Sequence, residues 1–325
     1  MKKTWLAIRS AILWFLSILH FFIVAPTLVF LGIFLDARKH DWLQRTFCRR
    51  IAFLSGARVE VVRSTGFDPQ RTCFFMSNHV NLFDPFILYC AIPQFVRGWE
   101  LESHFKIPAY GWLMKRFGNV PVPNVRRSSD LKRMWRLTQD AVDGGTSLII
   151  FPEAKRTRDG HVDQFQDGGF RVAQQLGIPI VPVSLVGSFQ HHRTGRWMLW
   201  PAKITVHLHD TIETNGLVKE DVPALRERVR AIIAAPVEEA LGGKMVERVP
   251  PGILHEYQSK GVAKFAFRKC MKRNNEDGSG QGRGMYAAGQ HGCTASSFSD
   301  QVGVCDPEQD RDIRSPWPVC CQIGR

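Results

Sequence analysis

Residues 11 to 35 (AILWFLSILHFFIVAPTLVFLGIFL) contain no Asp, Glu, Lys or Arg. As one helix the run would be roughly 38 Å long at 1.5 Å per residue, enough to cross a bilayer with tilt. It is too long for a signal-peptide core, and no small-residue cleavage site follows it cleanly. Pro26 removes a backbone donor inside the run and disfavours helix at the residue before it. Both flanks are basic: Lys2, Lys3 and Arg9 precede the run, and Arg38, Lys39, Arg45, Arg49 and Arg50 follow it. Positive flanks mark the cytoplasmic side. A single span puts one of them on the wrong side. Two helices bent at Pro26, entering and leaving one leaflet, do not. The monotopic arrangement is therefore slightly preferred to a single span, with residues 1–50 as a membrane-embedded segment and its basic flank.

From residue 57 onward short apolar runs alternate with helical stretches. Val59 and Val61 alternate with polar residues as in a strand. Residues 72–77 (TCFFMS) form a second candidate strand. A helix is expected over 84–91, with Asp84 in its first turn and Pro85 behind it. Leu131, Met134, Trp135, Leu137 and Val142 have helical spacing and stop at Gly144-Gly145. Buried-type strands are expected at 147–151 and 178–185, a short helix at 169–176 closed by Gly177, an alternating strand at 203–209 and a helix at 223–241. Strands interleaved with helices predict an α/β domain over residues 51–250. Its sheet should be mixed and largely parallel, with helices on its flanks.

Beyond residue 250 the composition changes. Residues 251–273 are basic and fit a helix on an anionic membrane or a solvated helix equally well. Residues 274–325 are rich in Gly, Ser, Gln and Cys without apolar period and read as disordered. The Gly-x-Gly spacing at 282–284 follows no strand, which dismisses it as a dinucleotide loop. Cys320-Cys321 reads more readily as tail thiols than as an acylation site.

The formal charge of +13 over 325 residues points to a polyanionic partner. Nothing resembles a helix-turn-helix, zinc finger or RNA-binding motif, so no nucleic acid partner is expected. Cys48, Cys73 and Cys90 lie in apolar surroundings as free thiols would. No Cys-x-x-Cys spacing occurs, so no metal is expected, and a reducing compartment is the simpler inference.

Of the 11 histidines only His79 has an Asp five residues later, Asp84. A carboxylate can fix the tautomer of such a His and stabilise its imidazolium. On its own this spacing is weak, since a structural hydrogen bond explains most such pairs. Three further blocks follow it: GNVPVPN at 118–124 with Arg126 and Arg127 behind it, FPEAKRTRDG at 151–160 after a buried strand, and VPV at 181–183 inside another.

In these blocks the chain resembles the glycerophospholipid acyltransferase family, over about residues 70–190. The family pattern N-H-x4-D is matched by Asn78, His79 and Asp84. The F-P-E-G-T-R block is matched by Phe151, Pro152, Glu153 and Arg156, with Ala154 and Lys155 where Gly and Thr are usual. Residues 118–122 match G-x-[IV]-P-V, but Asn124 stands where Arg is expected. The resemblance implies transfer of an acyl chain from a thioester, acyl-CoA or acyl-carrier protein, to a lysophospholipid at a membrane, with no bound cofactor. The acceptor it implies first is 1-acylglycerol 3-phosphate, with the site on the cytoplasmic face. His79 is the implied general base, Asp84 its orienting carboxylate, and Arg156 the phosphate or glycerol contact. Glu153, Lys155, Asn78, Arg126, Arg127 and Arg97 are candidate substrate contacts. Arg97 or Lys106 could meet the oxyanion, as could a backbone N–H near the helix start. An apolar tunnel for the acyl chain is expected. No G-x-S-x-G elbow occurs, so the acceptor hydroxyl takes the place of a nucleophilic Ser. Lys155, Arg126 or Arg127 could replace the Arg absent at Asn124, and Ala154 replaces a Gly whose backbone could need positive φ. These departures leave open a different lysolipid acceptor, or a transacylase that needs no CoA. A lipid-binding protein without catalysis would not need the His79–Asp84 pair.

Overall fold

The computed structural model describes residues 2–125 and 127–242. Arg126, the segment 251–273 and the tail 274–325 lie outside the described residues. The helices are α1 (Lys2–Phe34), α2 (Asp41–Leu54), α3 (Asp84–Ala91), α4 (Tyr110–Arg116), α5 (Ser128–Asp143), α6 (Asp167–Leu176), α7 (Ser188–His191) and α8 (Val222–Ala240). The strands are β1 (Ala57–Arg63), β2 (Phe74–Ser77), β3 (Val96–Leu101), β4 (Val120–Val122), β5 (Ser147–Ile150), β6 (Ile180–Val186) and β7 (Ala202–Leu208).

The strands form one sheet in the order β1-β7-β6-β2-β5-β3-β4. Every pairing is parallel except β6 with β7, so the sheet is mixed and largely parallel, as its alternation with helices predicts. The central strands β2, β5 and β6 are buried over nearly their whole length, because helices cover both faces. One core layer gathers Phe75, Ile87, Leu88, Val183 and Leu185 with α2 and α3. The other gathers Phe74, Met76, Leu148, Phe170 and Ile233 with α6 and α8. The ends of β2, β5 and β6 lie side by side, and each is followed by one of the loops that build the site.

The expected pair of helices is one element, since α1 continues through Pro26. Packing holds the helix to the domain on both sides of the proline. Ser10, Ser17 and Ala25 are buried before it, and Leu28 after it. At its start Arg9 Nη1 donates to the Leu199 carbonyl at 2.9 Å, and Trp14 Nε1 to the Trp197 carbonyl at 2.6 Å. Near its end Gly32 lies against Arg116 of α4. The helix therefore lies along the domain. Its opposite face exposes Ile8, Ile12, Phe15, Phe22, Ile23, Phe30 and Phe34.

Two flanking arginines counted for membrane orientation are structural. Arg45 donates to the carbonyls of Tyr89, Ile92, Pro93 and Gln94 and so closes the end of α3. Arg38 does the same past α5, at Gly144 and Gly145. The helix α2 crosses the expected domain boundary near residue 50 and packs on α3 and β1.

Candidate functional site

The site forms where three strand ends meet. β2 ends at Ser77 and leads into the loop Asn78–Phe83. β5 leads into Phe151–Gly160, and β6 into Gly187 and α7. Pro85 in the first turn of α3 sets its start, so that Asp84 points back over the loop before it.

Asp84 is fully buried. Its Oδ2 lies 2.9 Å from His79 Nδ1 and accepts the backbone N–H groups of Val80 at 2.6 Å and Asn81 at 2.8 Å. Its Oδ1 accepts the Ser188 hydroxyl. A carboxylate among so many donors only accepts, so Nδ1 of His79 carries the proton. The other ring nitrogen, Nε2, is left with a lone pair, and the His79 side chain is 19% exposed. The ring lies flat on Phe151, with centroids 4.1 Å apart and planes at 20°. This is the arrangement of a base with a fixed tautomer.

Glu153 supports His79 through the backbone. Its Oε1 accepts the His79 N–H at 2.8 Å, and its Oε2 the Asp163 N–H at 3.2 Å. The His79 carbonyl accepts from the Thr157 N–H at 3.0 Å, which closes the two loops on each other. Glu153 is buried, and burial pushes its carboxyl up to about 8 despite the two backbone donors. Ala154, next along, has φ 58°, the left-handed region that its departure from Gly raised as a question.

The other candidates separate. Arg156 is exposed on the 151–160 loop, beside His192, and within one turn of Glu153. Lys155 is exposed and pairs with Asp163 at 3.0 Å. Arg127 is exposed just before α5. Asn78 is turned away from any substrate: its Oδ1 accepts the Leu185 N–H at 2.8 Å and its Nδ2 donates to the Leu185 carbonyl at 3.2 Å, tying β2 to β6. Arg97 is also not at the site. It is buried between α2 and α3, bonded to the Tyr89 hydroxyl, 3.7 Å from Asp41 and over the Phe95 ring. A buried cation needs such partners, and they hold it there. Asn124 is spent on Ser103, through the Ser103 N–H at 3.0 Å and hydroxyl at 3.2 Å. An apolar cleft opens between α1, α2 and α4, lined by Leu28, Leu31, Leu35, Leu43 and Phe117, and none of the residues around His79 lines it. Phe151 and Ser188 were not assigned roles from sequence. Phe151 stood in a recognised block, whereas Ser188 carried no signal of its own.

Residues 58–186 match the family model described as Acyltransferase. The chain is 27% identical over 183 residues to a 1-acyl-sn-glycerol-3-phosphate acyltransferase of Chlamydomonas reinhardtii, covering 56% of this chain and 53% of that one. It is 29% identical over 180 residues to the human 1-acyl-sn-glycerol-3-phosphate acyltransferase beta, covering 55% and 64%. To the enzyme of that name from Pseudomonas aeruginosa it is 24% identical over 234 residues, covering 71% and 86%. The chain thus spans about half the length of the first of these relatives. Among solved structures, the 1-acyl-sn-glycerophosphate (LPA) acyltransferase PlsC from Thermotoga maritima shares the fold. Its TM-score is 0.62 at 23% identity, covering 75% of this chain and 99% of that one.

Two outcomes follow from the 151–160 loop. Ala154→Gly relieves the left-handed alanine and raises stability by about 1 kcal/mol, read as a higher midpoint in denaturant. Glu153 holds a proton in the folded state that the unfolded chain releases near its ordinary value of 4.5. Folding stability therefore falls as pH rises from about 4.5 to about 8 and is level beyond. Glu153→Gln removes that slope while lowering stability throughout, because its amide N–H faces the Asp163 N–H. Unfolding midpoints across this pH range check both statements.

Proposed function

Since residues 58–186 match the family model described as Acyltransferase, we propose that this chain moves a fatty acyl group from a thioester, acyl-CoA or acyl-carrier protein, to the free hydroxyl of a lysophospholipid. The first acceptor proposed is 1-acyl-sn-glycerol 3-phosphate, which gives phosphatidic acid. The observation that carries the reading is the His79–Asp84 contact at 2.9 Å with Nε2 left as a lone pair. The acceptor hydroxyl gives its proton to Nε2 as its oxygen attacks the thioester carbonyl carbon. Asp84 stabilises the imidazolium, as the carboxylate of a Ser-His-Asp triad does. Collapse of the tetrahedral intermediate forms the ester and expels the thiolate, which takes the proton back from Nε2. Ser188 bonds to Asp84 and not to His79, so it is not placed as a nucleophile.

Arg156 is the proposed phosphate contact, since guanidinium meets phosphate oxygens two at a time. Glu153 acts in this reading by fixing the His79 backbone rather than by touching substrate. The N-terminal helix supports a place at a membrane. Its packed face ties it along the domain and its exposed face is apolar, which suits a helix lying in one leaflet. The basic residues around it other than Arg38 and Arg45 support a site on the cytoplasmic face. One observation favours a second reading, a different lysolipid acceptor or a CoA-independent transacylase. Lys155 pairs with Asp163, so it does not replace the arginine absent at Asn124, which is itself bonded to Ser103.

A panel of labelled acyl donors and lysolipid acceptors separates these readings. His79→Ala and Asp84→Asn should each lower turnover by roughly 10²–10⁴-fold with folding and membrane binding retained. Full activity in either variant contradicts the mechanism, and activity confined to lysophosphatidate removes the second reading. Replacing Phe15, Phe22 and Ile23 together by Ser should abolish flotation with anionic vesicles. Undiminished flotation would rule out that face as the membrane contact.

A further inference from the structure

His79 uses one oxygen of Asp84, and the other is held by a residue outside every recognised block. Ser188 is the first residue of α7, is fully buried, and lies two positions past the matched acyltransferase segment. Its hydroxyl meets Asp84 Oδ1. Asn81 decides which way that hydroxyl proton points. The Phe83 N–H donates to Asn81 Oδ1 at 2.7 Å, which identifies that end of the amide as the carbonyl. Asn81 Nδ2 then donates to Ser188 Oγ at 2.7 Å and to the Ser188 carbonyl at 2.9 Å. With its oxygen accepting from Asn81, the single hydroxyl proton of Ser188 is directed at Asp84. Gly187 makes the approach possible. Its φ is 92°, and a Cβ there would lie 2.2 Å from the Lys203 carbonyl oxygen. The chain can therefore turn from β6 onto Asp84 only with glycine at this point.

We propose that Ser188 is a positioning residue for acyl transfer: oriented by Asn81, it locks the Asp84 carboxylate in the rotation that keeps Oδ2 on His79 Nδ1. The proposal rests on the reading of His79 as general base. Without the hydroxyl, Oδ1 is a buried acceptor with no donor, and the carboxylate is free to turn about its last bond. The backbone donors from Val80 and Asn81 both go to Oδ2 and cannot substitute. Glu153, His191 and His192 are the other titratable groups within electrostatic reach of Asp84, and Arg156 acts in turn on His192. No hydrogen bond from any of them to Oδ1 is present among the described residues. A carboxylate free to turn also holds the His79 imidazolium less well, which lowers the pH at which His79 gives up its proton.

The test compares Ser188→Ala with Ser188→Thr in the full chain in detergent micelles, by two readouts. Steady-state kinetics use acyl-CoA and lysophosphatidate. An NMR titration follows the His79 ring and needs no turnover. Ser188→Ala should lower kcat roughly ten- to hundredfold, the worth of a hydrogen bond to a charged group. KM should stay within about twofold, since substrate is not touched. The His79 midpoint should move downward. Ser188→Thr, which keeps the hydroxyl, should restore both. An unmoved His79 midpoint and wild-type kcat in Ser188→Ala overturn the proposal, as does an equal loss in both variants. If the unaltered protein transfers no acyl group, the reading of function fails, while the His79 titration still decides the role of Ser188.

Discussion

A carboxylate with no exposure to water has to be met by donors, and the site is arranged around that requirement at Asp84. Four donors meet it: the His79 ring, two backbone N–H groups and the Ser188 hydroxyl. They come from the loop after β2 and from the turn after β6. The loop after β5 joins through Glu153, which holds the His79 backbone. Strand order β6-β2-β5 is therefore a condition for the site, because it brings these three loops side by side. Asn78 reinforces the order by bonding both polar groups of its amide to Leu185.

The same logic explains why two charged residues that look available are not. Arg97 sits near the start of β3, where a cation survives burial only with Asp41, Tyr89 and Phe95 around it. Arg45 closes the end of α3, the helix whose first residue is Asp84. Through these contacts the basic residues that follow α1 tie the apolar N-terminal region to the element that carries Asp84. The apolar N-terminal helix and the site are thus parts of one packed unit.

Much of this was legible in the sequence, for identifiable reasons. Periodicity located β2, α3, α5, β5, α6, β6, β7 and α8 to within a few residues, because each has a clean apolar face or a Gly or Pro stop. β3 and β4 escaped: Arg97 and Gly98 break one, and the other is three residues long. α2 was hidden as a basic flank because its arginines find backbone carbonyls only in the folded chain. Pro26 suggested two helices, whereas one continues through it, packed on the domain at Ser17, Ala25 and Leu28. The His79–Asp84 pair was visible as a spacing, and the substitution at Ala154 pointed to its unusual backbone. Ser188 was invisible because its role depends on the 104-residue separation that the sheet closes.

The central claim is that His79 activates the acceptor's own hydroxyl and that no residue of the chain carries the acyl group. Intact-protein mass spectrometry after incubation with acyl-CoA in the absence of acceptor tests this most directly. The account predicts unmodified protein at all times, with ester product appearing only when lysophospholipid is added. A covalent acyl adduct that forms with donor alone, and disappears at the rate of turnover when acceptor is added, would contradict it.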